Sequence, residues 1–281
     1  MIRIIPRLDI KGPNLVKGIH LEGLRVLGSP QAFAKFYYQQ GADEIIFQDV
    51  VASLFERNSL HDIISKTAKD VFVPITVGGG LRTINDISLA LRSGADKVTL
   101  NTIAIKNPSI IRESVERFGS STIAVAIEAI KQDNGEYFAF IDNGREQTGV
   151  EVVKWAKEIE ELGAGEIIIT SVDNDGTGNG FDIELLNLVR ENVFIPLIAH
   201  GGGGSLLNML DAINTGVDAL AIGSVLHYDA INFIEGNDLN ELDQGNTSFI
   251  ESKKKFKMIK PFSIPAIKSF LSDNQIFLRP I

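Results

Sequence analysis

The chain has 281 residues, 44% hydrophobic and 22% charged, with no cysteine and a formal net charge of −9. That length is ample for burying a core, the acidic balance argues against non-specific nucleic-acid binding, and the missing cysteines exclude disulfides and thiolate metal sites. No apolar run reaches the roughly 18 residues a membrane span needs. The N-terminal MIRIIPRLDI reads as a strand rather than a signal peptide, so a cytoplasmic location is expected.

Short β-branched runs alternate with amphipathic segments along the chain. Strands are expected near 2–9, 43–49, 73–77, 96–100, 121–128, 165–170, 195–199 and 218–222. Helices are expected between them, near 31–40, 57–69, 84–93, 107–118, 149–162, 182–192 and 205–215. The strands are almost continuously apolar, as in a parallel sheet covered on both faces.

An internal repeat distinguishes an open sheet from a closed one. PITVGGG begins at Pro74 and PLIAHGG at Pro196, an offset of 122. The same offset pairs Gly94-Ala95-Asp96 with Gly216-Val217-Asp218, and Gly41-Ala42-Asp43-Glu44 with Gly163-Ala164-Gly165-Glu166. An offset of 119 pairs Leu8-Asp9 with Ile127-Glu128. Four strands recur as four strands, which predicts one (β/α)₈ barrel domain over 1–281 built from two similar halves. Residues 228–262 break the pattern with an acidic and then a basic stretch. They read as an insertion before a last helix capped by Ser263, with Pro265 in its first turn.

In such a barrel the functional rim lies at the strand C-termini. Strand 1 delivers Asp9 and strand 5 delivers Glu128, equivalent under the repeat and expected to face each other across the mouth. Two opposed carboxylates suit paired acid and base work when their environments separate their pKa values. Strand 3 runs into Gly78-Gly79-Gly80 and strand 7 into Gly201-Gly202-Gly203-Gly204, each ahead of a helix. Glycine lets backbone N–H groups approach an anion, and the helix start favours negative charge. Strands 4 and 8 end in Asn101-Thr102 and Gly223-Ser224, which complete two expected phosphate cradles. The strand-6 loop adds Asp175, Gly176 and Thr177 as expected substrate contacts; it lacks the closing Glu of a calcium loop. The four histidines lack metal-site spacing, and no metal or organic cofactor is implied. At the opposite end, Arg3, Glu44, Lys97 and Glu166 sit near strand starts, where two cations and two anions could close a salt-bridged ring.

These segments together resemble the HisF family, the cyclase subunits of imidazole glycerol phosphate synthase. The resemblance runs over 1–227 nearly without gaps and resumes at about 263–279. It is carried by RIIPRLDIKGPNLVKG, EGLR, GADEIIFQD, VPITVGGGLR, GADKVTLNT, GAGEIIITSVDNDGTG and AHGGGGS. It implies a (β/α)₈ fold and a reaction joining ammonia to a bis-phosphorylated phosphoribulosyl-formimino nucleotide (PRFAR). The products are imidazole glycerol phosphate and an aminoimidazole carboxamide ribotide, in histidine biosynthesis. It further implies a glutaminase partner of the HisH type at the barrel bottom, sending ammonia through the barrel. The ring Arg3, Glu44, Lys97 and Glu166 then becomes the ammonia gate, and Asp96 a partner contact. Lys17 becomes a substrate lysine on a mobile first loop, and Asp9 the catalytic aspartate.

The sequence departs from the family pattern in four places. Glu128 stands for the second catalytic aspartate, Arg7 for a cysteine, and His200 for a small residue, and 228–262 is extra. These motivate an alternative, a HisF-like paralogue that delivers ammonia to another acceptor, such as a surface sugar being amidated. A third reading, a non-catalytic scaffold for the glutaminase, conflicts with the retained carboxylates.

Overall fold

The computed structural model describes residues 1–52, 60–234 and 259–280. Chain order begins β1 (Arg3–Lys11), β2 (Asn14–Ile19), β3 (Glu22–Gly28), then helix Pro30–Gln39 and β4 (Ile45–Asp49). Next come helix His61–Thr67, β5 (Ile75–Gly78), helix Ile84–Arg92 and β6 (Lys97–Leu100). Helices Thr102–Lys106 and Ser109–Phe118 precede β7 (Ile123–Lys131), β8 (Tyr137–Ile141) and β9 (Glu146–Glu151). Helix Val152–Glu161, β10 (Glu166–Ser171), helix Ile183–Arg190, β11 (Leu197–His200) and helix Leu206–Asn214 follow. The described chain ends with β12 (Ala219–Ile222) and helices Ser224–Ala230 and Ile264–Asp273.

Eight strands pair in parallel as β1-β4-β5-β6-β7-β10-β11-β12, and β12 returns to β1, closing the barrel. All eight expected strands are present within a few residues of their expected bounds. The repeat is visible in the hydrogen bonding at the barrel bottom. Asp96 accepts the Ile75 N–H at 2.8 Å and Asp218, its repeat mate, accepts the Leu197 N–H at 2.9 Å. Asp43 does the same for Ile4 at 2.8 Å. Thr83 and Ser205, also 122 apart, cap equivalent helices.

Side chains alternate along each strand, so one set faces the barrel axis and the other the helices. The inner set forms its own small apolar cluster of Ile5, Ile46, Ala124, Ile168, Ile198, Ala219 and Ala221. The outer set packs under the helices with Phe33, Tyr37 and Trp155.

Several elements differ from the sequence expectation. Residues 14–28 and 137–151 form antiparallel hairpins on β1 and β7, where loop and helix were expected. Their turns carry positive φ at His20 and Leu21 (53° and 60°) and at Asp142, Asn143 and Gly144 (53°, 63° and 75°). Asp142-Asn143-Gly144 is a strong hairpin signal. His20-Leu21 carries none, because left-handed backbone is costly for leucine. The helix expected at 107–118 is present as Ser109–Phe118, and a further short helix, Thr102–Lys106, precedes it, separated by Asn107, which Pro108 holds extended. The helix expected from 149 starts at 152, where Glu151 accepts the Val153 and Lys154 N–H groups at 2.8 and 2.7 Å. Of the helix expected at 57–69, residues 57–59 lie outside the described residues, and the rest forms helix His61–Thr67. Of the expected insertion, 235–258 lie outside them too, and its first residues continue helix Ser224–Ala230. The final helix is capped as expected, Ser263 accepting the Ala266 N–H at 3.3 Å.

Candidate functional site

The two glycine runs leave β5 and β11 at equivalent places on the same rim. Gly79 and Gly80 have φ of 94° and 72°, and a Cβ on Gly79 would stand 2.2 Å from the Asp49 carbonyl oxygen. With Asn101, Thr102 and Glu128 they line a cleft of about 230 Å³. Gly201, Gly202, Gly223 and Ser224 line the repeat-related hollow, only about 20 Å³. The strand-6 loop, with Asp175 and Gly176, closes over that hollow. A Cβ on Gly202 would meet the Gly180 carbonyl oxygen at 2.0 Å, and the Gly180 N–H donates to Gly202 O at 2.8 Å. Thr177 turns its hydroxyl inward to its own loop, donating to Asn174 O at 2.8 Å. The hollows are therefore equivalent in backbone and unequal in space.

Asp9 and Glu128 lie between them, on β1 and β7, both buried. Asp9 Oδ1 accepts from Arg7 Nε at 3.0 Å, and Lys17 Nζ lies 3.5 Å from Oδ2. Burial pushes the Asp9 carboxyl up, but the charges of Arg7 and Lys17 outweigh it and hold the group below its ordinary value. Glu128 has no such cation in contact. Burial pushes it up to about 7, against the opposing pull of the Gly144 N–H, which donates to Oε2 at 2.8 Å, and of Arg7 and Asn101. One carboxylate is ionised at neutral pH while the other titrates there, the separation a proton-transfer pair requires.

Lys17, expected on the first loop, lies in the β2–β3 hairpin that follows β1. It sits on β2, which pairs with β1, and is almost wholly buried. Its ammonium bonds Asp175 at 2.9 and 3.0 Å, and those charges hold it protonated despite burial. The two hairpins also meet over the mouth, Asn143 Nδ2 donating to Leu21 O at 2.7 Å.

Arg7, Thr170 and His200 form a part of the site that sequence reading noted only as departures or missed. Arg7 Nη1 lies 3.3 Å from Thr170 Oγ1 and 3.0 Å from His200 Nδ1. A guanidinium only donates, so His200 Nδ1 accepts and the ring hydrogen is on Nε2, facing Asp175 at 3.8 Å. Burial and the nearby cations hold His200 neutral, well below its ordinary pKa. Behind them His227 Nε2 donates to Arg7 O at 3.0 Å and its Nδ1 accepts from Tyr37 Oη at 2.6 Å. Burial first, then Lys17, pushes His227 down to about 3. The period-2 alternation Arg3, Ile5, Arg7, Asp9 was the available signal that Arg7 points inward. Thr170 is the repeat mate of Gln48, and both stand beside the glycine runs.

At the other end, Arg3, Glu44, Lys97 and Glu166 close the expected ring. Arg3 bonds Glu44 at 2.9 Å and Glu166 at 3.2 Å; Lys97 bonds Glu44 at 3.0 Å and Glu166 at 2.6 Å. Asp96 lies exposed beside it, its carboxylate engaged by Ile75 N–H. Around the ring this face exposes Phe72, Phe194 and Phe277, at 74%, 91% and 74% of their surface. Among the described residues no group of three or more His, Asp or Glu is placed to hold a metal ion, and no helix is long and apolar enough to cross a membrane.

The chain matches the family model for histidine biosynthesis protein over residues 3–232. It is 55% identical over 205 residues to the imidazole glycerol phosphate synthase subunit HisF of Legionella pneumophila, across 73% of this chain and 97% of that protein. The same-named subunit of an Exiguobacterium strain is 46% identical, across 80% of this chain and 88% of that protein. That of Alkaliphilus metalliredigens is 42% identical, across 86% and 96%.

Proposed function

The chain belongs to the histidine biosynthesis protein family, and from that premise we propose that it is the cyclase subunit of an imidazole glycerol phosphate synthase. The observation that carries the reading is the pair of repeat-related glycine hollows flanking two carboxylates of separated pKa. PRFAR carries a phosphate at each end. One phosphate sits against the backbone of Gly80, Asn101 and Thr102, the other against Gly201, Gly202, Gly223 and Ser224. Lys17, Asp175, Gly176 and Thr177 enclose the second end.

Ammonia enters through the ring of Arg3, Glu44, Lys97 and Glu166 and crosses the barrel interior. The interior lining of Ile5, Ile46, Ala124 and Ile168 suits neutral ammonia and penalises ammonium, since burying an unpaired charge is costly. At the mouth, Asp9 is the base that takes a proton from the attacking nitrogen. Glu128, protonated up to about pH 7, is the acid that protonates the oxygen being displaced. The partner is a glutaminase subunit seated on the face that exposes Phe72, Phe194 and Phe277, with Asp96 at its edge. An exposed aromatic set around a charged ring has the composition of an interface.

The test is the purified protein with PRFAR and ammonium chloride, the product identified as imidazole glycerol phosphate by mass. No turnover at high enzyme overturns the proposal. The departures at Glu128, Arg7 and His200 motivate one second reading, ammonia delivery to another acceptor, such as a sugar being amidated. Identity to the HisF subunits over most of the chain ranks it second.

A further inference from the structure

Arg7 and His200 lie on β1 and β11, 193 positions apart in sequence, yet touch at 3.0 Å. Three groups hold the guanidinium: Asp9 on Nε, Thr170 and His200 on Nη1. The second terminal nitrogen, Nη2, has no hydrogen-bond partner among the described residues, and Arg7 lines the 230 Å³ cleft beside Glu128. Asn101 Oδ1, on the same cleft, is buried and also without a partner. A fixed donor and an unpaired acceptor therefore flank Glu128. A buried polar atom left without a partner, as Asn101 Oδ1 is, is rare enough to need an explanation. This pair complements a carbon that carries an oxygen on one side and an N–H group on the other.

We propose that Arg7 is a catalytic residue whose Nη2 holds the substrate's carbonyl oxygen while ammonia adds, and that His200 and Thr170 position it. The inference rests on the cyclase reading above. The nitrogen lone pair forms the C–N bond, and the C=O π pair moves to oxygen, where Nη2 meets the developing charge. Glu128 gives its proton to that oxygen, Asp9 takes one from nitrogen, and Asn101 Oδ1 accepts a remaining N–H. Loss of water then leaves the imine. Such a donor is worth more in a water-excluded site than at the surface, and its anchoring means little reorganisation as charge develops.

Arg7→Lys keeps the charge and loses the fork, and Arg7→Cys loses both. With PRFAR and ammonium chloride, both lower kcat about 10²-fold while KM stays within about threefold. Millimolar guanidinium chloride partly restores Arg7→Cys. His200→Ala, which leaves the guanidinium but frees it, lowers kcat about tenfold, and His200→Asn, which keeps an acceptor, recovers part of the loss. A kcat within about threefold of wild type in folded Arg7→Cys overturns the proposal; so does a loss confined to KM. If the Arg7 variants do not fold, unchanged kcat in His200→Ala overturns it alone. A separate arm does not depend on PRFAR. Formate is titrated into protein labelled with ¹³C at the arginine ζ carbon. A saturable shift of the Arg7 signal, assigned from Arg7→Lys, supports the donor even if wild-type turnover is absent and the cyclase reading fails. No shift together with no PRFAR turnover overturns both.

Discussion

Replacing Glu128 by glutamine is expected to stabilise the protein above neutral pH while removing turnover. The carboxyl is about 8% exposed and is pushed up from 4.5 to about 7, chiefly by burial. Below about pH 4.5 it is protonated in both folded and unfolded chains and contributes no difference. As the pH rises from about 4.5 to about 7, the unfolded chain ionises first, so stability is progressively lost. Above about 7 the loss is complete and amounts to about 3 kcal/mol. Glutamine does not titrate, and its amide oxygen still accepts the Gly144 N–H that now reaches Oε2 at 2.8 Å. At about pH 8 the variant should therefore melt about 6 to 12 °C above wild type, and at about pH 4.5 the two should coincide. The assay is thermal unfolding by circular dichroism across that range, with turnover measured against free ammonia so that its own titration drops out. Wild-type turnover should fall about tenfold for each pH unit above about 7, as the acid form is depleted. Parallel melting curves at every pH would falsify the reasoning, because they would show that Glu128 ionises in the fold at no cost.

The other expectations rest on separate contacts. Lys268→Met removes the buried partner of Asp43 at 2.8 Å and should cost about 3 kcal/mol, read as a lowered denaturant midpoint. Adding Asp43→Asn should recover part of that loss, and a strictly additive double variant counts against pairing as the cause. Gly202→Ala brings a Cβ to within 2.0 Å of Gly180 O at a φ of 98°, so it should displace the strand-6 loop. PRFAR affinity should then fall about tenfold or more; unaltered affinity would detach this hollow from the substrate. Lys97→Met opens the ring by removing bonds of 3.0 and 2.6 Å. Ammonium-driven turnover should stay within about threefold of wild type while glutamine-driven turnover with the glutaminase subunit drops. Equal losses in the two assays would place Lys97 outside ammonia transfer.

The sequence by itself determined the barrel and its two-fold character. Continuous apolar strands, glycine runs at fixed offsets and the GAD motifs are local signals, and the repeat turns them into a closed ring. It also determined which residues reach the rim, because strand alternation is set by the pleat. The hairpins were less legible. His20-Leu21 adopts left-handed backbone without a turn residue to announce it, held by Asp175 O on the His20 N–H at 2.8 Å. Only the tertiary structure decided the electrostatics of the carboxylates. Asp9 and Glu128 are equivalent under the repeat, yet Arg7 and Lys17 converge on one and leave the other to desolvation. That difference comes from side chains on β1 and β2 meeting partners on β10, β11 and the strand-6 loop. Spacing along the chain carries no record of which charges meet, because a pKa depends on distances through space and on the water excluded around the group.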